Sequence, residues 1–287
     1  GPAIGGAVAY SVGAKALGIF ASMVAGAVGA GTVGQNPAGE FIVKIGEPMG
    51  AFVSALAAAE FSKVISGKTK VDIVVVPATT ILVGGLVGLL VSPVIAGVMK
   101  SIGQVINIAT ELHPVPMGIL VAVIMGIVLT LPISSAALAI SLGLSGLAAG
   151  ASLVGCCAQM VGFAVASYRE NGFGGLIAQG LGTSMIQIPN IIRNPVIWIP
   201  PILTSAILGP VATVVFKMES NSVGAGMGTS GLVGQFGTVA AMSETVGFST
   251  ILIKMGVLHF IFPAILTLLS SEFMRKKGWI KMGDMKL

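Results

Sequence analysis

Charged residues are scarce in this chain of 287 residues. Lys, Arg, Asp and Glu make up 9% of it, against roughly 25% in an ordinary soluble domain. A soluble globule needs a polar shell, and 15 basic plus 10 acidic residues cannot cover a protein of 28.7 kDa. The composition therefore excludes a soluble enzyme, a nucleic-acid-binding protein and a disordered chain. The pI of about 9.4 does not indicate nucleic acid, because the few basic residues collect in loops and near residue 287.

Cysteine is nearly absent as well. Cys156 and Cys157 are adjacent in an apolar stretch, and neighbouring cysteines seldom pair. We interpret them as small core residues and expect no disulfide and no metal site. The chain also lacks a P-loop, a His-Glu-x-x-His motif, a nucleophile elbow and a dinucleotide fingerprint. We therefore expect no catalytic residue and no cofactor in this chain.

Long apolar runs are what the sequence has in abundance. Hydrophobic residues make up 55% of the chain, and the mean hydropathy is +1.01. Runs such as 251–269 are nearly continuous, without the alternation of a membrane barrel, and a helix needs about 20 such residues to cross the bilayer. The sequence predicts one all-α polytopic membrane domain over 1–287, with about eight to ten transmembrane helices. Among the apolar blocks we expect separate helices at 133–155 and 156–168.

Two stretches differ from ordinary spans because glycine, proline and amides interrupt them. We name them the first broken segment (172–194) and the second broken segment (220–244). Irregular backbone at membrane depth is tolerated only inside protein or beside a water-filled cavity. We therefore predict two re-entrant hairpins. The alternative is close helix packing through small residues.

A short repeat supports the prediction of broken helices. The pattern Gly-x-Gly-Thr, followed by Gln, occurs at 29–32, 180–183 and 226–229. Broken segments repeated in two halves of a chain point to a transporter binding site, although three short matches in a glycine-rich chain also arise by chance. Unwound glycines expose backbone groups, and Thr and Gln add donors and acceptors. Such a lining suits a polar solute that is neutral or weakly charged.

Ionisable and amide residues inside apolar sequence are candidate solute ligands, because burying them is costly unless they are paired. Glu111 and His113, next to two prolines, form the sharpest local cluster, and the alternative is a polar loop between spans. Arg193 suits an anionic group, or else it extends to lipid headgroups. His259 is isolated, and we interpret it as a packing histidine. The predicted substrate-binding set is Gln35, Asn36, Glu111, His113, Gln187, Asn190, Arg193, Asn194, Glu219, Asn221, Gln235 and Glu244.

The basic residues predict the orientation of the chain. One group consists of Lys63, Lys68 and Lys70, and the other lies at 275–281. By the positive-inside rule both face the cytoplasm, which places the C-terminus there. The chain begins with Gly1-Pro2, without a signal peptide, and this leaves open either a protease scar or a missing N-terminal span.

Three stretches together resemble a known family. They are 111–159, which begins ELHPVPMG, then 180–195 (GLGTSMIQIPNIIRNP) and 224–242 (GAGMGTSGLVGQFGTVAAM). They are similar to the IIC-like membrane proteins of the phosphotransferase system, in the branch named after a perfringolysin O regulator. The resemblance covers most of the chain. It implies re-entrant hairpins, a homodimer, elevator-like alternating access for a sugar, and a bacterial inner membrane location.

The resemblance also implies site residues and partners. Members that phosphorylate sugar use a histidine and a hairpin glutamate, for which His113 and either Glu219 or Glu244 are the candidate equivalents. The chain contains no phospho-accepting domain, so phosphotransfer would require cytoplasmic phosphotransferase proteins in trans. We predict a permease for a sugar or similar polar solute. Two alternatives stay open: a membrane sensor without net transport, and an ion-coupled carrier.

Overall fold

The computed structural model describes residues 1–35, 39–43 and 46–287 of the chain. The backbone divides into two compact units, unit 1 (Gly1–Ile102) and unit 2 (Gly103–Leu287), and the division falls within one long helix. Asn36, one of the predicted solute ligands, lies outside the described residues.

Unit 1 consists of helices and one short β-hairpin. Its elements are α1 (Pro2–Ser11), α2 (Ala16–Gly29), β1 (Val33–Gln35), β2 (Phe41–Val43), α3 (Pro48–Ile65) and the first part of α4 (Asp72–Thr110). The two strands are antiparallel, with Val33 opposite Val43. Pro48 begins α3, where its missing N–H costs nothing and its fixed φ suits the first turn. The Asp72 carboxylate accepts a hydrogen bond from the backbone N–H of Thr69, at 3.0 Å, just before α4.

Helices α2, α3 and α4 touch through small residues. The hydroxyl oxygen of Ser54 in α3 lies 2.7 Å from the carbonyl oxygen of Ala25 in α2 and 2.6 Å from that of Gly84 in α4. A Cβ atom on Gly50 would collide with the carbonyl oxygen of Gly29. The helix backbones are therefore in direct contact, which is the packing that small residues allow between helices in lipid.

Unit 2 is helical and contains many short and irregular pieces. Its α-helices are α5 (Pro114–Thr130), α6 (Ser135–Ser141), α7 (Gly146–Ala166), α8 (Tyr168–Ile177), α9 (Ile188–Arg193), α10 (Ile199–Pro210), α11 (Ser222–Ala225), α12 (Val233–Met242), α13 (Phe248–Met255) and α14 (Phe262–Lys276). Turns of 3₁₀-helix lie at Ser184–Gln187, Pro195–Trp198 and Ser230–Leu232. Turns of π-helix lie at Ala178–Gly182, Val211–Val215 and Gly256–Ile261.

Helix α7 is the buried axis of unit 2. Nearly all of its side chains are excluded from solvent, and it packs against α5, α10 and α14. Val154 belongs to one apolar cluster, with Leu208, Met218, Ile251 and Leu258. Phe163, nine residues further along α7, belongs to a second cluster, with Ile191, Ile197, Met274, Ile280 and Met285. The irregular pieces of unit 2 are thus positioned against one rigid helix.

The predicted boundary between helices at 155 and 156 was wrong. The chain is interrupted earlier, between α6 and α7, and α7 then continues through Cys156 to Ala166. Gly155 does not end a helix. It allows the close approach of α5, since a Cβ atom there would collide with the backbone of Ala122.

The predicted class, an all-α polytopic membrane protein, is confirmed. Within the described residues, five helical stretches are long and apolar enough to cross a membrane: Pro48–Ile65, Asp72–Val91, Gly146–Ala166, Pro195–Val215 and Phe248–Lys276. Two shorter apolar helices are Ala16–Gly29 and Pro114–Thr130. The predicted number of eight to ten spans stays a prediction, as does the division of the domain into spans and re-entrant hairpins.

Candidate functional site

The first broken segment is a chain of short helical pieces. Helix α8 is interrupted at Gly172, where φ is +58° and ψ is −157°, a conformation open only to glycine. The π-turn Ala178–Gly182 and an extended Thr183 follow, and then the 3₁₀-turn Ser184–Gln187 and α9. The backbone therefore departs from a continuous α-helix at Gly172, at the π-turn and at Thr183.

The second broken segment is irregular by different means. Asn221 caps the four-residue helix α11, because its Oδ1 accepts the backbone N–H of Gly224 at 2.8 Å. The chain then turns through Gly228, at φ +55°, and reaches α12 through Leu232, which has a φ of +60°. A Cβ atom at Gly228 would lie 3.0 Å from the Met160 sulfur of α7. This position therefore needs glycine for its conformation and for the space.

The Gly-x-Gly-Thr motifs of the two broken segments meet in the structure. The hydroxyl of Thr229 donates to the carbonyl oxygen of Gly180 at 2.5 Å, and it lies 3.6 Å from the sulfur of Met160. Gly180 belongs to a π-turn, a rare element that is frequent at functional sites. We call this contact between Thr229 and Gly180 the junction, and it connects two copies of the repeated motif. The third copy of the motif, at 29–32, belongs to unit 1.

A cluster of neutral polar side chains surrounds Gln159 on α7. Its Oε1 accepts hydrogen bonds from Nε1 of Trp198 at 3.0 Å and from the hydroxyl of Thr130 at 3.3 Å. The Thr130 and Ser184 hydroxyl oxygens are 2.8 Å apart. The Nε2 of Gln159 is buried and has no hydrogen-bond partner among the described residues. The cluster therefore offers one free donor beside hydroxyls and an indole ring.

None of the residues of this cluster belongs to the predicted substrate-binding set. Gln159 lies in a run of apolar and small residues with no motif around it, and Thr130 and Trp198 end or begin helical pieces far away in sequence. The available signal was an amide in the middle of an apolar span. A polar side chain within a membrane span is costly to bury, so its presence suggests a functional role.

Two predicted ligands, Gln187 and Asn190, are buried in a row of amides. The Nε2 of Gln187 donates to Oε1 of Gln179 at 2.8 Å, and the Nδ2 of Asn190 donates to Oε1 of Gln187 at 2.9 Å. Both amide groups also donate to backbone carbonyls near the end of the chain, those of Met285 and Lys286. The structure therefore brings these two residues together, with their hydrogen atoms already engaged.

Gln235, another predicted ligand, is buried beside His259. The Nε2 of Gln235 lies 3.2 Å from Nδ1 of His259, and it also contacts the sulfur of Cys157 at 3.8 Å. His259 sits within the π-turn Gly256–Ile261 and is fully buried. Its Nε2 and the Oε1 of Gln235 have no hydrogen-bond partner in the part of the chain that the structure describes. The interpretation of His259 as a packing histidine accounts for its burial but leaves one ring nitrogen unsatisfied.

The other predicted ligands lie at caps, at chain turns or on the surface of the single chain. Asn194 donates from Nδ2 to the Asp284 carboxylate at 2.8 Å. Glu219 is half-buried beside the Asn221 cap. Exposed positions are occupied by Glu111, His113, Arg193 and Glu244, and Gln35 ends β1. The hydrogen bonds that the structure describes join Gln187 to Asn190, and none of them joins Glu111 or His113 to the amide row or to Gln235.

The junction is flanked by an apolar groove with a volume of about 360 Å³. Val161 and Ala164 of α7, Gly180 and Leu181 of the π-turn, and Phe260 line it. This lining offers almost no polar surface to a solute, so the groove suits hydrocarbon rather than a polyol. No group of three or more His, Cys, Asp or Glu side chains able to hold a metal ion occurs among the described residues.

A family model described as the phosphotransferase system EIIC matches residues 1–287, the full length of the chain. The chain belongs to this family. No curated protein and no solved structure gave a match. An EIIC protein is the membrane transport component of the phosphotransferase system, so this chain is a membrane sugar permease component of that system.

Proposed function

We propose that this EIIC protein moves a sugar or a similar neutral polyol across the bacterial inner membrane by elevator-like alternating access, as a homodimer. The solute would be held where the two broken segments meet against α7. The observation that carries the proposal is the hydrogen bond from Thr229 to the Gly180 carbonyl. It joins the two Gly-x-Gly-Thr motifs at one point, so a movement of either segment is passed to the other.

The chemistry beside the junction fits a neutral solute. Gln159 and Met160 are consecutive on α7, and they contact the polar cluster and the junction, respectively. The cluster is built from an amide, two hydroxyls and an indole, with no charged group among the hydrogen bonds that hold it. Hydroxyl groups of a sugar would pair with the free Nε2 of Gln159 and with the Thr130 and Ser184 hydroxyls.

The predicted ligands enter this proposal unequally. Gln187 and Asn190 lie in the same broken segment as Ser184, and we keep them as residues that orient it. Gln235 packs against Cys157 of α7 from the second segment. The exposed residues Glu111, His113, Arg193 and Glu244 stay predicted ligands for a solute on its way to or from the junction.

The test is solute binding and uptake by two variants in proteoliposomes. A panel of neutral sugars, polyols and sugar phosphates is first screened by thermal shift, because a ligand of the folded state raises apparent stability. Gln159→Leu removes the free donor, and we expect the dissociation constant of the best neutral ligand to rise about tenfold. Thr229→Val keeps the shape but breaks the junction, and we expect uptake to fall more than binding.

Thr245→Val is the matched control. Thr245 lies just beyond α12, and among the contacts that the structure describes its hydroxyl bonds only to the carbonyl of Met242, the last residue of that helix. Wild-type binding and uptake in both Gln159→Leu and Thr229→Val would overturn the proposed site. Binding without uptake in the wild-type protein would favour the sensor alternative. Uptake that follows an imposed ion gradient, with no phosphotransferase proteins present, would favour the ion-coupled carrier.

A further inference from the structure

The last eleven residues, 277–287, form a strap that folds back on unit 2. Helix α14 ends at Lys276, and the backbone N–H groups of Gly278 and Trp279 bond to the carbonyls of Arg275 and Met274 at 2.9 and 3.0 Å. The strap then runs along the first broken segment. Ile280 and Met285 are each 1% exposed and belong to the same apolar cluster as Phe163 of α7. The strap is therefore a packed element.

The inner face of the strap is also fixed by hydrogen bonds to its backbone. The N–H of Met285 donates to the Glu170 carboxylate at 2.8 Å, and the N–H of Leu287 donates to Oδ1 of Asn171 at 2.8 Å. The Met285 carbonyl accepts from Asn171 at 2.8 Å and from Gln187 at 3.0 Å. The Lys286 carbonyl accepts from Asn190 at 2.9 Å. Side chains before and inside the first broken segment thus bind the main chain of the strap.

A buried ion pair holds the start of the strap against α8, just before the first broken segment. A guanidinium nitrogen of Arg275, at the end of α14, lies 2.5 Å from the Glu170 carboxylate, and the two side chains are 11% and 2% exposed. The Asp284 carboxylate also turns inward, where it accepts hydrogen bonds from Asn194 and from the N–H of Lys281. The carboxylates of Glu170 and Asp284 are therefore both engaged in contacts within unit 2.

The outer face of the strap has the opposite chemistry. Its exposed residues include the aromatic ring of Trp279 and the side chain of Met282, at 57% and 64% exposure, together with Lys277, Lys281 and Lys286, and the exposed Lys276 ends α14 just before it. Trp279 packs edge-on against the exposed Phe273, with ring centroids 6.5 Å apart. The Lys277 ammonium lies 5.9 Å from the centre of the Phe273 ring. Lysine interleaved with tryptophan and other large apolar side chains is the composition of a membrane-interface anchor.

We propose that the strap is a lipid-dependent latch, whose basic and aromatic outer face binds anionic phospholipid headgroups while its inner face holds the first broken segment. The strap begins where the span Phe248–Lys276 ends, which places it at the edge of the bilayer. Exposed Trp279 and Met282 favour lipid over an acidic protein, because a hydrated protein surface would leave these side chains in water. Lipid that binds the strap stabilises the bonds to Glu170, Asn171, Gln187 and Asn190.

The latch goes beyond the proposed transport function, and its test uses no transport measurement. The full chain is reconstituted in neutral phosphatidylcholine vesicles and in vesicles with one third phosphatidylglycerol. Amide hydrogen exchange is then followed in peptides that cover 184–194 and 279–287. Each lysine near an anionic surface contributes about a factor of five to binding. We expect exchange in both peptides to slow by at least about fivefold in the anionic vesicles and the effect to fade with added salt.

Two charge variants test the outer face. K277Q/K281Q removes two lysines of the strap, and we expect it to lose the protection given by anionic lipid. K68Q/K70Q, the matched control, removes two exposed lysines of unit 1 and should exchange like wild type at both peptides. Asn171→Ala removes both of the bonds that Asn171 makes with the strap, and should speed exchange at 279–287 in either lipid, which shows that the readout senses the latch.

Equal exchange of the wild-type strap in neutral and anionic vesicles would overturn the latch, and it would leave the basic face to a protein partner. Equal loss of protection in K277Q/K281Q and K68Q/K70Q would also overturn it. The two proposals can fail separately. If exchange shows the latch while Gln159→Leu and Thr229→Val bind and transport solute like wild type, only the proposed solute site is overturned.

Discussion

The two broken segments carry the same Gly-x-Gly-Thr motif but are held in opposite ways. Side-chain amides stabilise the first segment, through the row Gln179, Gln187 and Asn190 and through the strap. In the second segment the backbone itself makes the contacts. Its carbonyls at Ala225 and Gly226 accept hydrogen bonds from Ser152 and Ser135, both at 2.6 Å. One irregular shape can thus be fixed by long polar side chains or by the absence of side chains.

This difference indicates which of the two segments can move. The contacts of the first segment are hydrogen bonds to a strap that lies on the surface, and they can be broken and remade as a group. The second segment also approaches the backbone of α7 closely, since a Cβ atom on Gly228 would lie 3.0 Å from the carbonyl carbon of Cys156. Backbones in such close contact have little free space to shift into. We infer that the first segment is the mobile partner at the junction.

The largest effect is expected from breaking the buried ion pair that lies just before the first segment. Glu170→Ala leaves the Arg275 guanidinium buried without its carboxylate and removes the acceptor of the Met285 N–H. We expect the free energy of unfolding to fall by about 3–5 kcal/mol. It is measured by denaturant titration in micelles with tryptophan fluorescence, and the two tryptophans, Trp198 and Trp279, follow the first segment and lie on the strap, respectively.

The exposed pair Arg169–Glu272 provides the control for that prediction. Its two side chains are 61% and 28% exposed, so Arg169→Ala should cost at most about 1 kcal/mol. A loss as large as that of Glu170→Ala would show that burial does not set the cost of breaking the pair.

A smaller effect is expected from crowding the backbone of the second segment. A Cβ atom in Gly226→Ala would lie 2.6 Å from the Ser135 carbonyl carbon and 2.7 Å from the Ala136 Cα atom. We expect a loss of about 1–3 kcal/mol in the free energy of unfolding, because backbone must shift to make room. Gly182→Ala in the first segment is the matched control, since nothing lies within 4 Å of its Cβ position. Equal losses in the two variants would remove the contrast between the segments.

The smallest effect is expected at the cap of α11. Asn221→Ala removes the side chain that accepts the Gly224 N–H, and a lost cap costs about 1 kcal/mol. Asn194→Ala sharpens the comparison, because Asn194 caps the turn Pro195–Trp198 and also donates to Asp284 of the strap. We expect Asn194→Ala alone to speed hydrogen exchange in 279–287. Faster exchange there in Asn221→Ala would contradict the separate support of the two segments.

The sequence predicted the helical membrane class and located the irregular stretches, because apolar runs and glycine or proline interruptions are local signals. It left open whether Glu111 and His113 bind a solute or form a polar loop between spans, and both are exposed in the structure. Their flanking Pro114 begins α5, so the pair lies in the turn before a helix. Gln159 could not be found from a motif, since its partners Thr130 and Trp198 are remote in sequence and meet it only through packing. The strap was equally out of reach, since Met285 and Gln187 are 98 residues apart.

The contact of α2, α3 and α4 through alanine, glycine and serine has a consequence for how unit 1 assembles. Helices that meet in lipid gain nothing from leaving water, so their association depends on close contact and on how little freedom they lose. Glycine and alanine have no side-chain rotamers to lose on packing. Gly29, Gly50 and Gly84 therefore let the three helices come together almost without loss of side-chain entropy.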